Sequence, residues 1–505
     1  MLVRVRSSSV LGVAAIPVDV EVDVAGGMPR FQLVGLAGGA VQESVVRVAA
    51  AVRNLGFRLP SKRVTVNLAP ADLRKEGTAF DLPIAAALLG ACGLIPAQAL
   101  EGLHLAGELS LSGELKPTRG VLPMAIAARR AAARAFLVPV ANALEAAAVD
   151  GLAVEPVRHL GQLASWAQGK SEFGALPPGD LQLSLTGGAL DLSDVAGQEG
   201  AKRALEIAAS GDHNLLLFGP PGSGKTMLAR RLAGLLPPLA QDEALEATAV
   251  HSVAGLLRDR GLLGERPFRA PHHSISDAGL IGGSGTPRPG EVSLAHRGVL
   301  FLDELPEFRR HVLEALRQPL EDGDVILSRA GHTVRYPAEF QLVAAMNPCP
   351  CGFLGDARRA CLCGEEQLLR YRRRVSGPLL DRIDLHVDVP AVPCDRLQGA
   401  GTGESTAEVS LRVRGARERQ RARGSSNARL RGGTLRRHCA LDLAAREVLA
   451  RAAQRLGLSA RAHDRILRVA RTIADLEGAA RVEARHLLEA VQYRALDRPA
   501  TTEAR

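Results

Sequence analysis

The feature that most constrains the fold of this chain is the segment GPPGSGKT at residues 219–226. An apolar run, LLLF, precedes it, and a helical stretch, MLARRLAGLL, follows it. The pattern G-x-x-x-x-G-K-T in this setting indicates a glycine-rich loop between a buried strand and a helix. Apolar strands that alternate with helices form parallel sheets covered on both faces. The chain is therefore predicted to contain an α/β domain with a covered parallel sheet.

The same loop predicts a phosphate site, because backbone N–H groups at a helix N-terminus bind anions. Lys225 is expected to reach the β- and γ-phosphates of a nucleotide, and Thr226 is expected to ligate Mg²⁺. The other cradle residues are Gly219, Pro220, Pro221, Gly222, Ser223 and Gly224. ATP and Mg²⁺ are thus the expected cofactors.

Two later strands end in polar residues suited to hydrolysis. GVLFLDE ends in Asp303 and Glu304, which are predicted to hold Mg²⁺ and to polarise the attacking water, respectively. FQLVAAMN ends in Asn347, which is expected to contact the γ-phosphate or the water. ATP hydrolysis is the expected activity, with Lys225 and Glu304 as catalytic residues.

The chain is also too long for a single hydrophobic core: it has 505 residues, and such cores stop growing at about 250–300 residues. Residues 1–167 alternate strand-like and alanine-rich helical runs, which predicts a separate α/β domain. A Gly-, Pro- and Ser-rich linker is predicted at 168–192, the parallel-sheet domain at 193–392 and a helical lid at 393–505. The expected fold class is multidomain α/β.

Charge favours a phosphate-rich partner. The chain has 63 Lys and Arg against 54 Asp and Glu, a net charge of +9, which alone supports such a partner only weakly. Ten arginines lie between residues 412 and 437, with Glu418 as the single acidic residue among them. A solvated helix face and phosphate binding both remain open for this run. Because no aromatic residue interrupts it, contact with a nucleic-acid backbone, independent of sequence and sensitive to salt, fits better than base stacking.

Membrane association is not expected. No signal peptide is evident, and the most apolar stretch, residues 82–100, contains two prolines. A buried helix with its following loop explains that stretch better than a membrane span. We expect a cytoplasmic protein.

Four cysteines form an insertion within residues 349–363, with the spacing C-x-C-x9-C-x-C. They are Cys349, Cys351, Cys361 and Cys363. Four thiolates suit a tetrahedral Zn²⁺ ion, although C-x-C is tighter than the commoner C-x2-C. The alternative is four reduced thiols packed beside the strand that ends at Asn347.

Arg382, in GPLLDRIDLHVDVP, has two interpretations. It is either a salt-bridge partner that flanks the core or an arginine finger supplied to the ATP of a neighbouring subunit. The residues alone leave both open.

Several longer segments carry a family resemblance. They are GPPGSGKT, RPFRAPHHSISDAGLIGGSG, FLDELPEF, MNPCPCGF, SGPLLDRIDLHV and LSARAHDRILRVARTIADLEG. Together they resemble the ComM/YifB group of magnesium-chelatase-like AAA+ ATPases over nearly the whole chain. The resemblance implies a homo-hexameric ring with ATP between subunits, Asn347 as first sensor, Arg382 as the finger and Arg461 as second sensor on the lid. Arg465, one turn further on, is the alternative second sensor.

The resemblance also implies a function. Members of this group act as ATP-driven motors on DNA, and those resembling ComM promote branch migration of heteroduplex DNA during natural transformation. A magnesium-chelatase-type ATPase subunit is the main alternative, and a remodelling factor or protease a further one. The first domain and the cysteine insertion argue against the chelatase, whose ATPase subunit is expected to lack both.

Two loops are candidate DNA contacts. EDGDVILSRAGHTVRYP, residues 321–337, predicts a hairpin of the kind that points into the pore in this AAA+ branch, with Arg329, His332 and Arg335 as candidates. The alternative is a solvated hairpin. The loop FRAPHHS, residues 268–274, is the second candidate and carries Arg269, His272 and His273. Metal binding by the adjacent histidines is a weaker interpretation.

The first domain resembles the Lon-type proteolytic fold in KEGTAFDLPIAAALL and in HLAGELSLSGELKPTRGVLPMAIAARRAA. That resemblance puts Ala79 at the position of the catalytic serine and Leu122 at that of the lysine. Without a hydroxyl nucleophile and a nearby base, proteolysis is not expected. Thr78 and Lys116 are the nearby polar residues. The domain is predicted to be a structural or DNA-guiding module.

Overall fold

The computed structural model describes residues 1–176, 190–257, 261–283, 287–329, 332–356, 359–392 and 403–494. Most of the predicted linker and the side chains of Arg329 and His332 lie outside the described residues. Within that part of the chain, no helix is both long and apolar enough to cross a membrane.

The N-terminal region is built on a mixed seven-stranded sheet with the order β3-β4-β2-β1-β5-β8-β9. Its strands are β1 (Leu2–Leu11), β2 (Ala14–Ala25), β3 (Arg30–Val34), β4 (Arg63–Ala69), β5 (Leu103–Leu105), β8 (Ala135–Pro139) and β9 (Val154–Val157). A separate pair consists of β6 (Glu108–Leu109) and β7 (Leu115–Lys116). In β2, buried valines alternate with acidic residues, so one face of the strand enters the core.

Helices cover this sheet. They span Gly39–Gln42, Ser44–Asn54, Asp81–Ala91, Val121–Arg130, Ala143–Ala147 and Leu160–Ala167. Every residue of Asp81–Ala91 is buried. The apolar stretch at 82–100 is thus a core helix with its following loop, as predicted.

Apolar packing occupies the positions of the Lon-type serine and lysine. Ala79 and Leu122 belong to one buried cluster, which also includes Ala249 of the helix Gln241–Ala254. Thr78 donates a hydrogen bond to Glu108, and Lys116 pairs instead with Glu114 at 2.7 Å. In the described structure these two polar residues therefore do not form a hydroxyl–amine pair.

The central sheet contains five parallel strands in the order β11-β12-β15-β10-β16. They are β10 (Leu215–Phe218), β11 (Phe268–Arg269), β12 (Val299–Leu302), β15 (Gln341–Met346) and β16 (Leu385–Asp388). Leu215 and Leu217 face one apolar cluster, and Leu216 faces another on the opposite side. The predicted parallel sheet with both faces covered is therefore present.

The helices between these strands follow from the sequence pattern. Lys225–Leu235 is the helix predicted after the P-loop, and Glu199–Gly211 precedes the P-loop strand. The others are Gln241–Ala254, Asp277–Leu280, Glu291–Leu294, Arg310–Ala315, Arg317–Asp322, Glu365–Arg372 and Gly377–Leu380.

The predicted hairpin is present as β13 (Asp324–Arg329) and β14 (His332–Pro337), paired antiparallel from Asp324 opposite Pro337 to Arg329 opposite His332. The middle of β14 touches the N-terminal region: an added Cβ at Gly12, in the turn between β1 and β2, would lie 2.8 Å from Val334. A buried polar contact also joins the two regions, since the Ser252 hydroxyl donates to Glu145.

The C-terminal region is helical, as expected. Its helices span Thr406–Ala422, Gly432–His438, Leu443–Leu456, Ala460–Leu476 and Ala484–Gln492. Val409 and Val413 of the first helix share an apolar cluster with Leu215 and Leu217 of the central sheet. The helical region is therefore packed directly onto the central sheet.

Candidate active site

The P-loop is open where a phosphate would lie and closed where it meets the sheet. Gly222 and Gly224 have φ angles of +75° and +93°, and a Cβ added at either would meet no atom within 4 Å. At Gly219, by contrast, an added Cβ would lie 2.1 Å from the carbonyl oxygen of Val389, just after β16. The first glycine is thus required for packing, and the other two give the loop its left-handed turns.

Lys225 is held inside this loop. Its Nζ donates to the carbonyl oxygens of Gly219 and Pro220, both at 2.8 Å, and to Asn347 Oδ1 at 3.3 Å. Burial lowers the pKa of Lys225, and the charge of Asp303 opposes that shift. An ammonium group bound only by neutral oxygens retains a strong attraction for a phosphate. The structure thus brings Lys225 and Asn347 together.

The carboxyl ends of β10 and β12 bring the predicted Mg²⁺ ligands together. Thr226 Oγ1 donates to Asp303 Oδ2 at 2.7 Å. A hydroxyl and a carboxylate at the mouth of an open phosphate loop are the hard oxygen donors that Mg²⁺ prefers. These residues fit a Mg²⁺–nucleotide complex, with Thr226 and Asp303 as the protein ligands.

Glu304 has an unusual backbone conformation, with a φ of +54°. Its own N–H donates to Asp303 Oδ1 at 2.9 Å. Left-handed conformations of non-glycine residues are costly and are concentrated at functional sites. Its side chain is 56% exposed and lies with Oε2 3.2 Å from Nδ1 of His273.

His273 is a site residue that the sequence analysis missed. The His272–His273 pair was interpreted as a pore or metal feature, yet the His273 ring lies beside Glu304 and faces the edge of Phe308. The signal in the sequence was its position four residues after β11, the strand next to β12.

Gln198 is a second missed residue. Its Nε2 donates to the carbonyl oxygens of Ser223, in the P-loop, and Pro390, after β16, at 3.2 and 2.6 Å. It connects the loop to the strand that carries Arg382 at its other end.

The three predicted arginines lie at the opposite end of the central sheet. Arg382, Arg461 and Arg465 line one cavity of about 510 Å³. Asn214, which directly precedes β10, donates from Nδ2 to the Arg382 carbonyl oxygen at 3.0 Å. The four residues of β10 therefore separate Arg382 from Gly219, a length of roughly 13 Å.

We call residues Gly219–Thr226, Asp303, Glu304 and Asn347 the carboxyl end of the central sheet. The amino end comprises Arg382, Asp384, Arg461 and Arg465. Arg461, the predicted second sensor, lines the cavity at the amino end of the sheet. It therefore lies away from the P-loop of its own chain.

The amino-end arginines differ in their partners. Arg382 is buried, pairs with Glu321 and donates to the Pro378 carbonyl oxygen at 2.6 Å. Arg465 lies 3.8 Å from Asp384. Arg461 is exposed and has no ion pair among the described residues.

The candidate DNA contacts have other partners. Arg269 binds Glu291 through two hydrogen bonds of 2.6 and 2.7 Å, so its charge is already neutralised. Arg335 pairs with Asp324 but remains 73% exposed. Both arginines are therefore ion-paired, and both stay predicted DNA contacts. Arg329 and His332 stay predictions.

The run of arginines after residue 412 has more counter-charges than Glu418. Acidic residues outside the run pair with Arg412, Arg417, Arg423 and Arg429: these are Glu206, Glu404, Asp212, Asp475 and Glu339. Glu404 is eight residues from Arg412. The other partners are more than fifty residues away, where sequence spacing does not reveal them. Arg414, Arg421, Arg436 and Arg437 are exposed and have no ion pair in the described structure.

The four cysteines of the insertion also come together. Their Sγ atoms all lie within 4.8 Å of one another, beside the end of β15. Cys349 is buried and the other three are half-buried.

Comparison with known proteins identifies the relatives of this chain. Three family profiles match it: "Magnesium chelatase, subunit ChlI" over residues 191–397, "Subunit ChlI of Mg-chelatase" over 20–142, and "Magnesium chelatase, subunit ChlI C-terminal" over 403–494. A chelatase subunit was expected to lack the first domain, residues 1–167, yet a profile named for that subunit matches residues 20–142. The first domain therefore does not distinguish this chain from a chelatase subunit.

Two relatives match almost the whole chain. The uncharacterized protein YifB of Salmonella typhimurium is 47% identical over 500 residues, and covers 98% of each chain. The competence protein ComM of Haemophilus influenzae is 46% identical over 503 residues, also 98% of each. The magnesium-chelatase 38 kDa subunit of Rhodobacter capsulatus is 30% identical over 31% of this chain and 49% of its own. The chain therefore belongs to the ComM/YifB family of magnesium-chelatase-like proteins.

Proposed function

We propose that this protein is an ATP-dependent hexameric DNA motor that unwinds DNA or drives branch migration of heteroduplex during natural transformation. One observation carries the proposal: the residues suited to ATP hydrolysis are divided between two opposite ends of one sheet. The relative named competence protein ComM, 46% identical over 98% of both chains, supports a competence-related function.

The carboxyl end is suited to bind and hydrolyse ATP. Lys225 and the P-loop N–H groups would hold the phosphates, and Thr226 and Asp303 would hold Mg²⁺. Glu304, exposed and oriented by His273, would polarise the attacking water. Asn347, bonded to Lys225, would orient the γ-phosphate or that water.

The amino end is suited to complete the site of a neighbouring subunit. Arg382 and Arg461 are too far from their own P-loop to touch its nucleotide, since β10 separates them from it. In the proposed head-to-tail ring, the amino end of one subunit would meet the carboxyl end of the next. Arg382 would then act as a finger and Arg461 as a second sensor, both in trans.

The DNA contact is proposed to be electrostatic. Arg414 and Arg421 lie seven residues apart on the outer face of the helix Thr406–Ala422, unpaired among the described residues. Arg335 adds an exposed cation on the hairpin. Contacts of this kind bind phosphates without reading sequence and weaken as salt increases.

The direct test measures the ATPase rate with single-stranded, duplex and branched DNA, and strand displacement from forked and four-way substrates. DNA should stimulate hydrolysis, and Lys225→Ala and Glu304→Gln should each lower kcat by about a hundredfold or more. Normal ATP hydrolysis without DNA stimulation or strand displacement would refute the motor.

A matched pair of variants tests the DNA surface. The double variant Arg414→Ala/Arg421→Ala should weaken DNA binding and reduce the slope of log K against log salt by about 2. Arg451→Ala/Arg455→Ala removes the same charge from another helix of the C-terminal region and should leave the slope unchanged. Equal effects of both pairs would show that net charge alone matters.

A chelatase ATPase subunit is the second candidate, favoured by the three family profiles. The cysteine insertion remains the feature expected to be absent from such a subunit. The 38 kDa chelatase subunit also aligns with only 31% of this chain. Binding of a porphyrin-handling protein, together with no binding of DNA, would reverse the ranking.

A further inference from the structure

The four cysteines Cys349, Cys351, Cys361 and Cys363 converge although nine residues separate the two middle ones. Cys349 Sγ lies 3.3 Å from Cys351 Sγ and 3.6 Å from Cys361 Sγ, and Cys351 Sγ lies 3.6 Å from Cys361 Sγ. These separations are well beyond the ~2.05 Å of a disulfide. They approach the edge of a tetrahedron around Zn²⁺, which is about 3.8 Å for Zn–S bonds of about 2.3 Å.

The surroundings of the sulfur atoms suit thiolates. Backbone N–H groups of Gly352 and Leu354 point at Cys349 Sγ, at 3.2 and 3.3 Å, and that of Cys363 points at Cys361 Sγ, at 3.5 Å. Hydrogen bonds of this kind orient metal ligands and stabilise their negative charge. All four sulfur atoms lie within 4.8 Å of one another, which fits a single ion better than a multi-iron cluster.

The cluster is attached to the ATP site at two places. Cys349 follows Asn347 by two residues, at the end of β15. Gly352 lies against the P-loop: a Cβ added there would approach Pro221 Cδ to 2.6 Å. The loop that carries the cysteines therefore connects the residue that contacts Lys225 with the rim of the phosphate cradle.

We propose that these four cysteines bind one structural Zn²⁺ ion as thiolates, and that the closed site fixes the loop between Asn347 and the P-loop. The metal would take no part in the reaction itself, because all four ligand positions are filled by protein. Its effect on catalysis would come from holding Asn347 and Pro221 in place. This second part rests on the proposed ATPase function, whereas metal binding does not.

The first test is metal content. The full-length protein, purified without chelators, should contain about one zinc per chain by mass spectrometry. Cys351→Ser and Cys361→Ser should each lose most of it. Cys92→Ser is the matched control, a half-buried cysteine of the N-terminal region, and should retain it. A wild-type protein with less than about a tenth of an equivalent, or full zinc in Cys361→Ser, would overturn the proposal.

A second measurement avoids variants that fail to fold. The chain has seven cysteines. In native protein the four cluster thiols should resist a thiol reagent until an organomercurial or a strong chelator releases zinc, detected with a metallochromic dye. Release of zinc in step with the reaction of four thiols supports the site; rapid reaction of those thiols without zinc release overturns it.

The effect on the ATP site is tested by removal and return of the metal. Zinc-depleted protein that retains its helical circular dichroism should lose at least fivefold in kcat and recover after one equivalent of Zn²⁺. An unchanged kcat would show that the metal does not hold the ATP site in place, and it would not contradict the zinc site itself. A protein that contains zinc but hydrolyses no ATP would refute the proposed function alone.

Discussion

The two ends of the central sheet carry opposite kinds of chemistry. The carboxyl end combines an open glycine loop, a buried ammonium group and two adjacent carboxylates, one of them exposed beside His273. The amino end combines three arginines with the buried Asp384. One end is suited to bind a phosphate and its metal, and the other carries positive charge. Neither end alone holds all the residues that the proposed hydrolysis requires, so the proposed working unit is the junction between two subunits.

The largest expected effect comes from mixed rings. Lys225→Ala and Arg382→Ala should each reduce ATP hydrolysis by about a thousandfold in homogeneous protein. Mixed in equal amounts, they should regain activity, since roughly a quarter of the interfaces would combine an intact carboxyl end with an intact amino end. Lys225→Ala mixed with Glu304→Gln should not recover, because both changes damage the same end.

The control for this experiment is Glu321→Ala, which removes the partner of Arg382 without removing the arginine. It should retain far more activity than Arg382→Ala. If the mixture of two carboxyl-end variants recovers as well as the first mixture, the division of the site between the two ends is wrong.

The second prediction separates the two lid arginines. Arg461→Ala should lower kcat by about ten- to a hundredfold with little change in melting temperature, because Arg461 is exposed and unpaired in the described structure. Arg465→Ala should mainly lower the melting temperature, because it leaves the buried Asp384 without its cation. The reverse pattern would make Arg465 the second sensor.

His273 should give an effect of a few-fold. His273→Ala frees Glu304 from its 3.2 Å contact and should lower kcat about two- to fivefold, with KM for ATP unchanged. His273→Asn, which keeps a polar group in reach, should retain more activity. His272→Ala is the neighbouring control, because its Nδ1 contacts Ser274 instead. An equal loss in the control would assign the effect to the loop as a whole.

The smallest effect concerns stability and pH. Burial alone would raise the pKa of Asp384, but the nearby His213 and Arg465 hold it well below its usual range. The ion pair therefore stabilises the fold above the unfolded-state pKa of about 3.9 and loses that contribution as the pH falls below it. Wild type should exceed Asp384→Asn by about 2 kcal/mol in the free energy of unfolding at pH 7, a difference that shrinks below about pH 4. A difference independent of pH would exclude this linkage.

The sequence predicts the carboxyl end better than the amino end, for a physical reason. Gly219 to Thr226, Asp303 and Asn347 follow apolar strands directly, and parallel strands bring their carboxyl ends together. The position of Arg461 depends on how a distant helix packs, and the partners of Arg412 and Arg417 come from elsewhere in the chain. The local sequence pattern does not indicate such long-range contacts.

The contact of His273 with Glu304 was hidden for a related reason. Glu304 adopts a left-handed backbone conformation, which the amino-acid sequence does not indicate. The loop that carries His273 lies beside Glu304 only once the sheet has folded. The hairpin β13–β14, whose strands and turn are adjacent in the chain, lies within the predicted residues 321–337.

The strand β16 has a consequence for communication around a ring. Arg382 and Asp384 precede it, while Val389, directly after it, faces Gly219 so closely that no side chain fits between them. Hydrogen bonds fasten β16 to β10 along its whole length. In the proposed ring, a neighbour's phosphate that binds Arg382 would displace the start of β16. The paired strands β16 and β10 are about 13 Å long and would transmit that displacement to this subunit's own nucleotide loop. In the proposed ring, β16 would therefore couple the nucleotide of one subunit to that of the next, and this coupling would act equally in both directions.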